Sequence, residues 1–197
     1  MSEFGITYRG TVFPWQCNHM GHMNVMWYKG KFDEASWQLL SSVGLTRSRF
    51  RKEGAGMAAV EQHIEYNREL HAGDIVTIRS AILEVRDKSI RLRHQMTNDE
   101  TGDVAAITTI VAVHLDIGLR KARSLPSDVH TRAAAMMSMW SGSDGGNSNP
   151  VAATHIGSPR SEAKLEAAAA GTLPFSKASP PEGNDRARFD ALSIGGL

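Results

Sequence analysis

Polar, metal-capable and aromatic side chains crowd the segment between Trp15 and Tyr28. Its polar members are a thiol, an amide and two imidazoles within six residues, namely Cys17, Asn18, His19 and His22. Asn24 follows, and because its short side chain is among those preferred at a helix N-cap, we predict that a helix begins at Val25. The backbone N–H groups of Val25 and Met26 would then be unpaired and partly positive, which suits a carbonyl oxygen that becomes negative during a reaction.

Metal binding is the other chemistry that this segment suggests. Cys17, His19 and His22 are zinc-ligand types, but their spacings of two and three residues, without an evident fourth ligand, argue against a metal site. We therefore expect no metal. The single cysteine excludes an internal disulfide and favours a reducing, cytoplasmic location.

Length and charge narrow the class of protein. A chain of 197 residues, 41% of them hydrophobic, can bury one core of ordinary size. A net charge of +1 does not favour a nucleic-acid partner, and no run of about eighteen apolar residues predicts a membrane span. Residues 1–5 lack the basic start of a secretory signal. We expect neither nucleic acid nor a membrane as a partner.

Two periodicities near the N-terminus predict a strand followed by a long helix. Ile6, Tyr8 and Val12 alternate with polar residues and indicate a half-buried strand that ends at Pro14. After the polar segment, apolar residues recur every three or four positions until Gly44, which is typical of a helix C-cap. The residues of this helix face are Tyr28, Phe32, Ala35, Ser36, Leu39, Leu40 and Val43.

Four more strands are predicted after the helix. They cover residues 57–70, 74–85, 89–97 and 104–116, and each is followed or preceded by good turn residues. The third has one face made of Ile90, Leu92, His94 and Met96. Residues 127–137 indicate a short closing helix. The predicted fold class is therefore α+β, with a five-stranded antiparallel sheet wrapped around one long central helix.

Composition changes near residue 139 and divides the chain into two parts. Residues 139–197 hold five of the seven prolines and eight of the eighteen glycines. We predict one domain over residues 1–138 and a disordered C-terminal extension over residues 139–197. Within the extension, only residues 161–170 have a helix-forming composition.

The order of elements and the polar loop resemble the hotdog fold, and most closely the 4-hydroxybenzoyl-CoA thioesterase family of acyl-CoA thioesterases. The segments that carry the resemblance are Val12-Phe13-Pro14-Trp15, Gly21-His22-Met23-Asn24, Tyr28, Phe32-Asp33-Glu34-Ala35 and Gly73-Asp74. The resemblance implies hydrolysis of a small acyl-CoA thioester, with coenzyme A as part of the substrate and no separate cofactor. It also implies a homodimer or homotetramer, in which the helix N-terminal amide near Val25 polarises the carbonyl.

Asn18 departs from the family pattern, which has an aspartate three residues before the glycine of the loop. A neutral amide can hydrogen-bond to a thioester or to water, but it cannot act as a base. Some hotdog thioesterases that resemble this arrangement have their carboxylate on the central helix. That resemblance makes Asp33 the first candidate for the base, with Glu34 beside it.

The distance from the helix start to Asp33 limits this scheme. Val25 and Asp33 would lie about 12 Å apart on one straight helix, so one carbonyl cannot touch both. The scheme needs a helix break at Gly30, an intervening water or a neighbouring subunit. Glu61 and His63 on the following strand are a rival source of the base, since the resemblance implies a cleft shared by two chains.

Other side chains of the loop and helix have alternative interpretations. His22 either braces the loop or takes part in catalysis. The candidate substrate-binding residues are Trp15, Met26, Trp27, Tyr28 and His63. The aromatic ones are otherwise core or interface residues, but with Trp37 they would suit a cationic acyl group such as a trimethylammonium compound.

A basic run follows the helix, at Arg47, Arg49, Arg51 and Lys52. This run either binds the phosphates of coenzyme A or is a solvated turn.

The sequence thus predicts an acyl-CoA thioesterase, with two alternatives from other classes. Loss of the loop aspartate would be consistent with a non-catalytic module that binds acyl-CoA or another small ligand. A hydratase or dehydratase would need a paired histidine and carboxylate, and no such motif is evident. The candidate catalytic residues are Asn18, His22, Val25, Asp33 and Glu61.

Overall fold

The computed structural model describes residues 5–141, with the side chains of the last helix described up to residue 137. A 3₁₀ turn at Pro14–Gln16 precedes the loop. The strands and helices in chain order are β1 (Ile6–Thr11), α1 (Val25–Ser42), α2 (Arg47–Glu53), β2 (Ala55–Tyr66), β3 (Ile75–Val85), β4 (Ser89–Asn98), β5 (Val104–Asp116), β6 (Lys121–Ala122) and α3 (Ser127–Ser141).

Five long strands form one antiparallel sheet in the order β1-β3-β4-β5-β2, which confirms the predicted fold class. The two-residue strand β6 pairs with the end of β5 and was too short to be predicted. Strand β2 pairs with β5 along one side, and within residues 5–141 no strand pairs with its other side. Helix α1 packs on one face of the sheet, against β1, β3 and β4.

The buried face of α1 is the one predicted from its periodicity. Phe32 and Val43 are fully buried, and the other members of that face are buried as well, with at most 8% of their surface exposed. Lys31 is also buried, which the periodicity did not predict. Its ammonium donates to the hydroxyl of Tyr8 at 2.8 Å and to the carbonyl of Thr11 at 3.2 Å. Helix α1 is thereby tied to β1 by polar bonds as well as by apolar packing.

Both ends of α1 follow the predicted signals. The side-chain oxygen of Asn24 accepts the N–H of Met26 at 3.0 Å, which confirms the N-cap. The helix ends at Ser42, and Gly44 follows with a φ of 95°. Glycine adopts this left-handed conformation without the strain that a Cβ would cause, so Gly44 lets the chain leave the helix toward α2.

Residues 47–53 form helix α2, so this basic run is helical rather than a turn, although most of it is solvated. Thr46 caps the helix by accepting the N–H of Arg49 at 3.3 Å. Arg49 donates to both carboxylate oxygens of Asp128 at 2.7 and 2.8 Å and to Glu53 at 2.8 Å. This pairing lowers the pKa of Asp128 to about 2 and joins α2 to α3. The exposed basic residues of α2 are Arg47, Arg51 and Lys52.

Two boundaries differ from the sequence prediction by four residues. Strand β2 ends at Tyr66 rather than at residue 70, because the N–H groups of Asn67 and Arg68 both turn to the carbonyl of Ala105. Helix α3 continues to Ser141, beyond the predicted end at residue 137. Residues 142–197, which include the short helix predicted at 161–170, lie outside the described residues. Within the described part of the chain, no helix is long and apolar enough to cross a membrane.

Candidate active site

The loop before α1 is fixed by backbone bonds to its surroundings. Met23 donates its N–H to the carbonyl of Leu70 at 2.6 Å, and Asn24 donates to the carbonyl of Gln16 at 2.9 Å. Gln16 is buried, and its side-chain oxygen accepts the N–H of Phe13 at 3.0 Å. The start of α1 is therefore held in place from both sides, as a preorganised donor site requires.

Asn18 braces this loop. Its side-chain oxygen accepts the N–H of Met20 at 2.8 Å. Its backbone N–H donates to the carbonyl of His22, and its own carbonyl accepts from Gly21, both at 3.0 Å. Since the carboxamide oxygen is occupied by the loop, the carboxamide NH₂ is the part of this side chain that is left for a ligand.

The first turn of α1 offers one free amide rather than two. The expectation that the N–H of Met26 is unpaired was wrong, because the cap residue Asn24 accepts it. An N-cap side chain bonds to the second or third helical N–H, so the first is the one left over. No hydrogen bond within residues 5–141 uses the N–H of Val25, and this residue is 58% exposed. Val25 therefore provides the single unpaired donor of the first turn, at an exposed position of the chain.

Helix α1 is continuous from Val25 to Ser42, so a break at Gly30 does not occur. The amide of Val25 and the carboxylate of Asp33 consequently belong to positions about 12 Å apart along one axis. The sequence suggested three ways for the amide and the carboxylate to act on one thioester. Two of them are left, namely an intervening water and a neighbouring subunit. The two groups cannot both touch one thioester carbonyl within a single chain.

A cleft of about 240 Å³ lies between α1 and the β2 side of the sheet. Asp33 is at this cleft, and its carboxylate accepts the indole N–H of Trp37 at 3.2 Å. The ring of Trp37 in turn lies edge-on to Phe50, with centroids 6.2 Å apart. The residues that line the cleft are Lys29, Asp33, Ser36, Trp37, Leu40, Met57, Ala59, Val60, Glu61, Gln62, Leu92, Ile110 and Ala112.

Glu61 on β2 lines the edge of the cleft and His63 does not, and the strand register directs both side chains away from α1. Gln62 is paired with Ile110, whose side chain is on the helix side of the sheet. Since side chains alternate along a strand, its neighbours Glu61 and His63 project from the opposite face. His63 is accordingly exposed, with its Nε2 at 3.4 Å from the carboxylate of Glu65. Asp33 is thus the carboxylate on the helix side of this cleft.

The remaining predicted residues are spread around the helix start. Tyr28 is buried, donates its hydroxyl to the carbonyl of Arg68 at 3.2 Å, and has its pKa raised to about 12 by burial. It is a core residue rather than a wall of the cleft. Trp27 packs partly buried against the same core, whereas Met26 is exposed. His22 has its Nε2 at 3.7 Å from Glu69.

Trp15 is largely exposed and stacks on Phe13, with ring centroids 4.4 Å apart. Trp15 and Asn18 belong to the segment that leads into the start of α1, while Asp33 and Trp37 lie further along the helix at the cleft. The predicted site residues therefore form two groups in one chain.

Sequence reasoning missed a buried polar chain behind the cleft. His94 on β4 is fully buried, and its ring nitrogens bond to Ser36 on α1 and to Ser80 on β3. Burial lowers the pKa of His94 to about 4. The signal was present in the sequence, since His94 is the one polar member of an otherwise apolar strand face.

The free energy of unfolding is expected to fall as the pH is lowered from 6.5 toward 4. In this window the unfolded chain binds a proton at His94 and the folded chain does not, because the pKa of about 4 in the fold is below the ordinary value of 6.5. The expected loss is about 1.4 kcal/mol per pH unit. Urea unfolding at several pH values measures it, and His94→Gln should remove this contribution. If the free energy of unfolding has the same slope against pH in the wild type and in His94→Gln, another group causes the effect.

Metal chemistry has no visible site in the described part of the chain. No three His, Cys, Asp or Glu side chains among residues 5–141 cluster as metal ligands would. Cys17 is a free thiol of intermediate exposure in the loop.

The profile of the Thioesterase-like superfamily matches residues 12–133 of this sequence. The match begins after β1 and ends within α3, so it includes the loop, the whole of α1 and every strand of the cleft. The chain belongs to the Thioesterase-like superfamily. The resemblance to hotdog thioesterases that the sequence suggested is thereby confirmed.

Two relatives of this thioesterase-like chain are named for betainyl-CoA. One is the L-carnitine dehydrogenase/betainyl-CoA thioesterase of Agrobacterium fabrum, 28% identical over 109 residues, which are 55% of this chain and 22% of that protein. The chain thus spans only a small part of that relative's length. The other is the betainyl-CoA thioesterase of Pseudomonas aeruginosa, 22% identical over 136 residues, which are 69% of this chain and 86% of that protein.

Among solved structures, a Staphylococcus aureus protein in complex with CoA is similar to this thioesterase-like chain. The two superpose with a TM-score of 0.65 at 20% identity, over 70% of this chain and 88% of the other. The likeness shows a common hotdog fold.

Proposed function

We propose that this protein hydrolyses an acyl-CoA thioester to the free acid and coenzyme A. The observation that carries the proposal is the unpaired N–H of Val25 at the start of α1, inside the span that matches the Thioesterase-like superfamily. A helix N-terminal donor of this kind stabilises the oxyanion that forms when a thioester carbonyl is attacked. Both named relatives are thioesterases of a CoA ester.

In the proposed mechanism, Asp33 is the general base that takes a proton from water. The water adds to the carbonyl carbon while Val25 binds the carbonyl oxygen, and the C–S bond then breaks to release coenzyme A. The NH₂ group of Asn18 is available to position the thioester, because its oxygen is held by Met20. Coenzyme A is part of the substrate, and the mechanism uses no other cofactor.

A second copy of the chain completes the proposed site. Val25 and Asp33 are too far apart in one continuous helix to act on the same carbonyl. The outer edge of β2 is a twelve-residue strand without a partner in residues 5–141, and natural proteins rarely leave such an edge uncovered. Pairing through this edge would bring the amide of one protomer toward the carboxylate of the other. The proposed assembly is a homodimer or a pair of such dimers, in a cytoplasmic setting that suits its single cysteine.

The acyl group proposed for this cleft is cationic. Trp37 offers an aromatic face that is fixed by Asp33 and Phe50, and the carboxylate of Asp33 adds negative charge beside it. An aromatic face with an adjacent carboxylate is suited to a quaternary ammonium group. The names of the two relatives point to the same class of acyl group.

Trp37→Ala is expected to lower kcat/KM for betainyl-CoA about 5- to 30-fold, the range expected for loss of a cation–π contact. The matched substrate is 3,3-dimethylbutyryl-CoA, which has the same shape without the charge and should lose much less. Gln38→Ala changes the exposed neighbour of Trp37 on α1, which does not line the cleft, and serves as the control variant. Equal losses for both substrates would contradict a cationic acyl group while leaving hydrolysis itself intact.

The binding-module alternative is not favoured by the two relatives, which are both named as hydrolases. One result would support the binding module instead. This result is that the purified protein binds CoA esters but hydrolyses none of a panel of short, branched, aromatic and cationic esters, and that Asn18→Asp hydrolyses them.

A further inference from the structure

A chain of four polar side chains crosses the core between the sheet and α1. Thr7 on β1 bonds to Ser80 on β3, Ser80 bonds to Nδ1 of His94 on β4, and Nε2 of His94 lies 3.0 Å from the hydroxyl of Ser36. His94 is fully buried, and Ser36 and Ser80 are nearly so. Burying polar groups costs free energy, whereas burying apolar side chains of similar size does not. This row of four polar side chains is therefore expected to have a role beyond packing.

The direction of each hydrogen bond in this chain can be assigned. Ser36 donates its one hydrogen to the carbonyl of Phe32 at 2.8 Å, and a carbonyl can only accept. His94 must therefore donate from Nε2 to Ser36. A neutral imidazole carries one hydrogen, so Nδ1 accepts from Ser80, and Ser80 accepts from Thr7. The result is that the Ser36 oxygen is fixed as an acceptor, with its own hydrogen turned away from the cleft.

Ser36 is the member of this chain that lines the cleft, whereas His94 and Ser80 lie behind it. Asp33 precedes Ser36 by three residues on α1, and both belong to the cleft wall. Residues three apart on a helix are neighbours, with Cβ atoms about 5–6 Å apart. That separation is suitable for two acceptors that hold one water molecule between them.

We propose that Asp33 and Ser36 hold the two hydrogens of the hydrolytic water, and that His94 is the positioning residue that keeps Ser36 an acceptor. With both hydrogens held, a lone pair of the water oxygen is directed at the carbonyl carbon of the thioester. Asp33 takes one hydrogen as the C–O bond forms, and the other stays on the oxygen, hydrogen-bonded to Ser36. The C–S bond then breaks, and the proton on Asp33 goes to the departing thiolate. This inference rests on the proposed thioesterase function and specifies how the water is oriented.

The test compares Ser36→Ala with Ser80→Ala, which removes the same atom from the same polar chain at the end away from the cleft. Ser36→Ala should lower kcat about 10- to 100-fold with KM changed less than about 2-fold, as expected when a nucleophile is misplaced. Ser80→Ala should lower Tm comparably but keep kcat near the wild-type value, because Nε2 of His94 still donates to Ser36. Ser36→Thr retains the hydroxyl and should retain most of kcat.

A readout that is independent of activity is the tautomer of His94. Nitrogen-15 NMR, with the signal assigned through His94→Gln, should find the proton on Nε2 in the wild-type protein. A proton on Nδ1 would overturn the inference. If the wild type is active, two kinetic results would also overturn it: an equal fractional loss of kcat in Ser36→Ala and Ser80→Ala, or no loss of kcat in Ser36→Ala. A wild type that hydrolyses no CoA ester would instead overturn the proposed function itself, and this inference with it.

Discussion

Val25→Pro is expected to lower kcat/KM for CoA esters about 100- to 1000-fold without disrupting the fold. Proline has no N–H, so the change deletes the one donor at the start of α1 that the described chain leaves unused. Val25 is the first residue of the helix, where proline is well tolerated. Asn24 before it has φ −67° and ψ 143°, which is the extended conformation that a residue before proline adopts. Loss of a single oxyanion donor typically costs about 3 kcal/mol in the transition state.

The matched control for Val25→Pro is Val25→Ala, which removes most of the side chain and keeps the N–H. Val25→Ala should retain kcat/KM within a few-fold, because the side chain is exposed and outside the cleft. Circular dichroism and Tm of both variants would verify that α1 is intact. If the proline variant hydrolyses CoA esters at the wild-type rate, the carbonyl is bound by some other group.

Asp33→Asn is expected to lower kcat by about 100-fold or more, the usual contribution of a general base. Asparagine has the same shape, and its side-chain oxygen can still accept the indole N–H of Trp37, so the cleft should keep its form. The measurement is kcat of both proteins with a saturating CoA ester at one pH. Wild-type kcat in Asp33→Asn would exclude Asp33 as the base.

Two neighbouring carboxylates are the controls for Asp33→Asn. Glu34→Gln changes an exposed helix residue that does not line the cleft, and it should leave kcat unchanged. Glu61→Gln tests the rival base on β2, whose side chain the register directs to the other face of the sheet. A large loss in Glu61→Gln together with an active Asp33→Asn would transfer the role of base to Glu61.

The two inactive variants together test whether the site is shared between protomers. A dimer with one Val25→Pro chain and one Asp33→Asn chain would contain one site with both native groups, if each site takes its amide and its carboxylate from different chains. Random mixing of the two chains should then restore roughly one quarter of the wild-type activity, as expected for a two-fold symmetric site. If both groups of a site come from the same chain, every site in the mixture has one defect, and no activity returns.

The positions of the helices and strands were determined largely by local patterns in the sequence. Asn24 and Gly44 mark the two ends of α1 because capping depends on backbone groups within a few residues. The alternation from Ile90 to Met96 predicted the buried face of β4 because side chains of a strand alternate whatever its neighbours are. The resemblance to the hotdog thioesterases rested on such local features and was sufficient to identify the superfamily.

The sequence also contained the reason why Met26 is not a free donor. An N-cap side chain takes up one N–H of the first turn, so predicting Asn24 as the cap already implied that only one of the first two amides is available. By contrast, tertiary packing rather than the local sequence decided that α1 continues through Gly30. Glycine in a helix interior costs roughly 1 kcal/mol relative to alanine, and the packing of the buried face on both sides of it outweighs that cost.

Only the tertiary structure decided which side chains meet. Ser36 and His94 are 58 residues apart in sequence, and their contact depends on β4 lying beneath α1. Whether Glu61 faces the cleft depended on a register irregularity between Ala59 and Glu61, and a shift of one residue exchanges the two faces of a strand. Periodicity and capping act over a few residues and can be seen in the sequence, whereas register and packing are set by distant parts of the chain acting together.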